Sequence, residues 1–315
     1  MNKLFVSSSP HLRSSATTNR IMLDVIIALM PATVMGVVIF GLNALLVIVA
    51  CVASAVLAEF AFNLIVKKEQ TIDDLSAVVT GMIIALNLHA GAPIWQCMLG
   101  SVFAIVVVKC LFGGLGCNFA NPAATARVFL LISFSGTLAG GALPAERWAD
   151  TMDLVTSATP LSVLKNGTGD LPTLLEMFFG YRGGAIGETC IAAIAVGFIY
   201  LVIRRVIHFE TPLIFIGTVF VLSLIVDNSF NTALYQMMSG GLVFAAVFMA
   251  TDYVTTPITR SGKMIFAFGC GLITFLIRYF GSYPEGVSFS ILLMNILSPY
   301  IEKWTAPRAL GGKKA

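Results

Sequence analysis

The sequence predicts an all-α integral membrane protein of about ten transmembrane helices, and three observations carry that prediction. Of its 315 residues, 57% are hydrophobic and only 11% are charged, with a mean hydropathy of +0.91. A soluble domain usually carries about a quarter charged residues, so this chain lacks the polar shell that a large soluble core needs. The apolar residues also fall into long runs divided by short polar turns. Finally, Lys and Arg are shared unequally between alternate turns, as happens when loops alternate across a bilayer. A net charge of +3 gives no footing for nucleic-acid binding.

A hydrocarbon core about 30 Å thick takes roughly 20 apolar residues of helix. Residues 1–20 are polar, hold no apolar run of signal-peptide length, and read as a cytoplasmic N-terminal segment. Runs at 21–42, 44–66, 75–90, 94–112 and 121–138 make a first set of five spans over 21–138. The third closes on Asn87, His89, Gly91 and Pro93, residues that end a helix rather than extend it. Residues 139–184 form the only long loop, and loops of that length usually carry function. Runs at 185–203, 212–227, 233–251, 263–280 and 287–302 make a second set over 185–303, followed by the tail 304–315. The eighth runs into Thr251, Asp252 and Tyr253.

With the N-terminus in the cytoplasm, alternation through ten spans puts 15 Lys and Arg on the inner side. It leaves only Arg147, Lys165, Arg182 and Arg278 on the outer side, which completes the 19 in the chain. That bias predicts cytoplasmic termini and an extracytoplasmic 139–184 loop. Leu75–Pro93 and Tyr235–Pro257 are each the third span of their set, and each holds an apolar half-span opened by a small-Gly step and closed by a polar, Pro-containing turn. Five being odd, the second set is inverted relative to the first, an arrangement of transporters with discontinuous helices.

Charges within apolar runs mark function or an interface position. Glu59, Glu188 and Asp252 lie inside predicted spans, and Asp24 and Lys109 lie near span ends. A charge in hydrocarbon is costly and usually faces a cavity or a partner, so Glu59, Asp252, Glu188 and Asp24 are candidates for an ion path. Asp24 and Lys109 can instead snorkel to the interface, and Asp252 can cap local backbone. The six cysteines have no C-x-x-C spacing and sit mostly in apolar runs, which fits small buried hydrophobes rather than a metal or iron–sulfur site. In the long loop, Thr159 followed by Pro160 fits a helix N-cap and first helical position. The same geometry suits a phosphate-bearing group, because a helix N-terminus presents free N–H groups.

The stretch Asp153, Leu154, Val155, Thr156, Ser157, Ala158, Thr159 resembles the flavinylation signature of the Rnf D/G and Nqr B/C subunits, with Leu154 where Gly is usual. Ser9-Pro10-His11-Leu12-Arg13, the turn Gly113–Ala123 with Asn118 and Asn121, and Phe248–Pro257 resemble further motifs of the RnfD/NqrB family. The resemblance implies FMN carried covalently on Thr159 through a phosphoester, with Asp153, Thr156, Ser157 and Ala158 completing the motif. It also implies a non-covalent riboflavin, a prokaryotic cell membrane as the location, and membership of a complex that couples ferredoxin and NAD redox chemistry to Na⁺ or H⁺ movement. Other membrane and peripheral subunits, a flavin transferase and membrane lipid are the implied partners. No Rossmann glycine run and no four-cysteine run are present, so NAD and ferredoxin sites are expected on other subunits. A urea- or ammonium-type solute pore, and a structural scaffold, are the alternatives that the span pattern alone leaves open.

Overall fold

The computed structural model describes residues 17–138, 141–142, 144, 156–157, 159–166, 171–281, 283 and 285–307. Those residues are helical apart from connecting turns and one pair of two-residue strands.

Helix α1 (Thr18–Phe40) is capped by the Thr17 side chain, which accepts from the Arg20 N–H. Gly41, at φ 70°, turns the chain directly into α2 (Leu42–Val66), and a side chain at that φ would be strained. Helix α3 (Ser76–Leu86) is short and ends at Asn87. Helix α4 (Ile94–Phe103) continues into a π-helical stretch over Ala104–Cys110. Asn121 caps α5 (Pro122–Ser133) by accepting from the Ala123 and Ala124 N–H groups, with Pro122 at the first helical position. One turn, α6 (Ser135–Leu138), follows.

The predicted loop holds more structure than a loop. Strand β1 (Gly141–Ala142) pairs antiparallel with β2 (Thr156–Ser157), and the short helices α7 (Pro160–Asn166) and α8 (Leu174–Phe179) follow. Helix α8 opens on a capping box between Thr173 and Glu176. The chain goes on through α9 (Ile191–Ile203), α10 (Glu210–Asp227), α11 (Phe230–Met238), α12 (Leu242–Phe248), α13 (Arg260–Phe280) and α14 (Val287–Thr305).

Four helices, α1, α2, α10 and α13, are long and apolar enough to cross a membrane. Helices α3, α4 with its π-helical extension, α5 and α9 are apolar but shorter. Large side chains such as Leu57, Ile65, Ile203 and Phe280 point outward, as in a multi-pass protein whose solvent is lipid.

Two predicted spans are corrected. Residues 185–190, read as the start of the sixth span, are not helical. Their backbone pairs with the end of α3 instead, Ile186 N–H donating to Leu88 O at 2.9 Å and Gly187 N–H to Leu86 O at 2.8 Å. Glycine permits the approach, since a Cβ on Gly187 would fall 2.5 Å from the Leu86 Cβ. The eighth predicted span is two helices, α11 and α12, broken at residues 239–241, where Gly240 takes φ +65°. Apolar residues on both sides hide that break from hydropathy.

Helix pairs α10–α13, α2–α3, α13–α14 and α1–α9 make the most extensive contacts. At the α1–α9 crossing a Cβ on Gly197 would strike the Ala28 carbonyl oxygen and lie 3.0 Å from the Phe248 ring. Gly197→Val is therefore expected to cost about 1–3 kcal/mol through overpacking, read as a lower thermal unfolding midpoint in detergent. Gly217→Ala, with no atom within 4 Å of its Cβ position, should leave the midpoint unchanged or slightly raised.

Candidate functional site

Two polar regions interrupt the apolar interior. The first surrounds a cavity of about 280 Å³ between α1, α3, α12 and the 115–123 turn. Ile21, Met22, Val25, Val79, Ile83 and Phe248 give it apolar walls, and Lys109, Asn118, Asn121, Thr251 and Asp252 give it polar ones. Gly113, Gly114 and Gly116 all take positive φ, which folds the turn tightly beside the cavity. Asn121 Nδ2 donates to the Met249 carbonyl at 3.2 Å, so the turn is tied to the end of α12. Asn118 Oδ1 is buried and, among the described residues, has no hydrogen-bond partner.

Lys109 stands on the π-helical stretch, and Glu59 on α2 meets it. The ammonium nitrogen lies 2.8 and 2.9 Å from the two Glu59 oxygens and 2.6 Å from Ser76 Oγ. Thr71 Oγ1 donates to Glu59 at 2.7 Å, Asn63 Nδ2 donates to Thr71 Oγ1 at 3.0 Å, and the Ser76 hydroxyl donates to Asp74. Both members of the pair are at most 2% exposed. An interface position for Lys109 is therefore corrected: its partner lies 50 residues earlier, and the pair is sealed inside.

The other candidates differ in kind. Asp24 on α1 receives Arg204 Nε and Nη2, both at 3.2 Å, and Tyr200 OH at 2.9 Å, which ties α1 to α9. Asp252 accepts from Thr255 Oγ1 at 3.1 Å and Val254 N–H at 3.3 Å. Among the described residues it has no ion-pair partner, and it opens on the cavity. Glu188 Oε1 accepts from the Ala185 N–H at 3.1 Å, again without an ion-pair partner among the described residues.

Glu188 belongs to the second polar region, whose other members the sequence does not single out. Glu285, just before α14, accepts the Gly241 N–H at 2.9 Å and lies 3.5 Å from Arg127 Nη2 of α5. Arg278 of α13 donates to the Gln236 and Ser239 carbonyls at 2.5 and 3.0 Å, closing the end of α11. Arg182 Nη2 donates to the Glu188 carbonyl at 2.9 Å. Glu285 sits in a Tyr-Pro-Glu-Gly sequence that reads as an ordinary turn. Arg127, counted with the inner-side charges, packs against this turn instead.

Thr159 borders that region. It is half-buried and caps α7, its Oγ1 accepting from the Ser162 N–H at 3.3 Å. Its methyl group lies against Gly141, where a Cβ would come within 3.0 Å. Thr156 and Ser157 form β2, while Asp153 and Ala158 of the same motif lie outside the described residues. Lys165 Nζ donates to the Gly281 and Tyr283 carbonyls at 2.5 and 3.1 Å, anchoring α7 to the α13–α14 turn.

The turn beside the cavity and the Thr159 segment are among the motifs that carried the resemblance, and the whole chain agrees with them. A model of the NQR2, RnfD, RnfE family matches residues 5–311. The chain belongs to the NQR2, RnfD, RnfE family. Among its relatives is the D subunit of the Na(+)-translocating ferredoxin:NAD(+) oxidoreductase complex of Acetobacterium woodii, 46% identical over 99% of this chain and 96% of that protein. The D subunit of the proton-translocating ferredoxin:NAD(+) oxidoreductase complex of Clostridium ljungdahlii is 39% identical over 99% and 98%. That of the ion-translocating oxidoreductase complex of Stutzerimonas stutzeri is also 39% identical, over 94% and 93%. NQR2, RnfD, RnfE family proteins of similar sequence thus carry names that specify different ions.

In this family member the Lys109–Glu59 pair is a stability element with a clear signature. Lys109→Met strands a buried carboxylate and is expected to cost about 3–5 kcal/mol. Adding Glu59→Leu should return more than half of that loss, because the stranded charge is removed. Thermal unfolding of the two variants in detergent checks the sign of the second change.

Proposed function

We propose that this chain is the D subunit of an ion-translocating ferredoxin:NAD oxidoreductase complex of the Rnf type, relaying electrons through FMN linked to Thr159 and through a non-covalent riboflavin. Redox chemistry in that complex drives Na⁺ or H⁺ across a prokaryotic cell membrane. The observation that carries the reading is the family match over residues 5–311, with relatives so named along nearly their full length.

At Thr159 the fit is local. The hydroxyl stands at the start of α7 with the Ser162 N–H and hydroxyl beside it, groups able to complement a phosphate. Asp153, Thr156, Ser157 and Ala158 are the remaining motif residues that a flavin transferase would read. The cavity supports the second flavin: its apolar walls suit a flat ring system, and the unpartnered Asn118 Oδ1, with Asn121 beside it, offers hydrogen bonding. A bound flavin supplies electron transfer, and the protein supplies position and electrostatics.

The ten-span reading in two inverted sets, 21–138 and 185–303, draws support from α3 and α12, short helices at matching places in each set. In this arrangement the termini are cytoplasmic and 139–184 is extracytoplasmic. The cavity then opens toward the cytoplasmic side and the Glu188 region toward the outside. Of the four candidate carboxylates, Asp252 and Glu188 have no cationic partner among the described residues, and they are the groups through which an ion would pass. Glu59 and Asp24 would take part only on leaving Lys109 and Arg204. The NAD and ferredoxin sites belong to other subunits, with which this chain assembles.

In-gel flavin fluorescence of the denatured protein, co-expressed with a flavin transferase, tests the assignment. Fluorescence is expected in the native chain and absent in Thr159→Ala, while flavin released on denaturation should fall in Asn118→Leu. A native chain that stays dark beside an active transferase would sink the covalent-flavin reading and bring the solute-pore or scaffold reading forward.

A further inference from the structure

The segment carrying Thr159 touches the broken helix α11–α12 by two routes. Directly, the buried Leu161 of α7 reaches over the break, its Cδ2 lying 3.3 Å from the Cβ position of Gly240. Indirectly, Lys165 of α7 grips the Gly281 and Tyr283 carbonyls. Two residues further on, Glu285 receives the Gly241 N–H, the last backbone group before α12. Nothing intervenes between that carboxylate and the bare backbone: a Cβ on Gly241 would come within 2.7 Å of Glu285 Oε1 and 3.3 Å of Glu188 Oε2.

We propose that Glu285 is a positioning residue through which the charge state of the Thr159 segment sets the start of α12. The inference rests on Thr159 as the flavin-bearing residue. Glu285 holds two elements at once, with one oxygen on α12 and the other facing Arg127 of α5. Glu188 Oε2 and Arg278 Nη2 flank the same break, 3.3 Å from the Cβ position of Gly241 and 3.2 Å from that of Gly240. Electrons added to the flavin carried on Thr159 leave negative charge on its ring, and that charge repels both carboxylates and draws the arginines. Glu285 is the group whose displacement frees an N–H at a glycine break. A Gly-Gly step with φ +65° at Gly240 is where a backbone can turn at low cost, so α12 is the element that responds. Asp252, just past the far end of α12, carries that response to the cavity.

Hydrogen exchange of the intact complex, read by mass spectrometry on peptides covering 156–166 and 239–248, tests this. Dithionite reduction of the native complex should change exchange at 239–248 by about threefold or more. Glu285→Gln should abolish that change while covalent flavin fluorescence is retained, and Glu285→Asp should restore it. Lys165→Met, at an exposed side chain that leaves the core intact, should likewise uncouple the two peptides. A response at 239–248 that persists in Glu285→Gln and Lys165→Met overturns the proposal. So does no response in a native complex whose flavin is present. If covalent fluorescence is missing from the native chain, the flavin reading fails separately. Lys165→Met must then still raise exchange at 239–248, and no rise overturns the coupling itself.

Discussion

A backbone N–H or C=O exposed to hydrocarbon has no water to bond, and each such group left unpaired costs several kcal/mol. That constraint governs this protein because its interior contains helices that stop short. At each stop a side chain or a crossing strand takes up the freed groups. Asp74 accepts the Ser76 N–H at the start of α3, and Asn87 Nδ2 donates to the Ile83 carbonyl at its end. The 185–187 segment supplies N–H groups to the Leu86 and Leu88 carbonyls. Arg278 closes α11, Glu285 opens α12, and Asn121 takes the Met249 carbonyl beyond it. Arg182, Glu188 and Arg278 are thus buried charges that answer broken backbone.

The same contacts join the two halves of the chain. Asn121 reaches Met249, Arg127 reaches Glu285, and Asp24 reaches Arg204. Each contact spans more than a hundred residues of sequence, so the halves are held at both polar regions with apolar helices between. A frame of this kind leaves few elements free to move. Short helices next to glycine breaks are the natural ones, since their ends rest on single side chains rather than on a continuous ladder.

The proposed function draws support from how unequal those charges are. Glu59 and Asp24 have cationic partners and mainly hold helices together, whereas Asp252 and Glu188 accept only hydrogen bonds among the described residues. A buried carboxylate without a counter-ion retains affinity for a proton or a small cation. Two such groups, one by the cavity and one by the Thr159 segment, suit a protein that couples electron transfer to ion movement.

Much of this was open to reading from composition and order of residues. Long apolar runs determine α1, α2, α10 and α13, because lipid selects side chains by transfer energy, a property of each residue. The Thr159-Pro160 helix start is likewise local and was predictable as such. Hydropathy could not find the break at Gly240 or the non-helical 185–190 segment. Both lie within or beside apolar runs, and their backbone partners come from elsewhere in the fold. Nor could sequence show that Lys109 answers Glu59, or that Glu285 in a plain turn caps α12. Pairing across long separations is decided by how helices pack, and only the tertiary structure brings those atoms within hydrogen-bond reach.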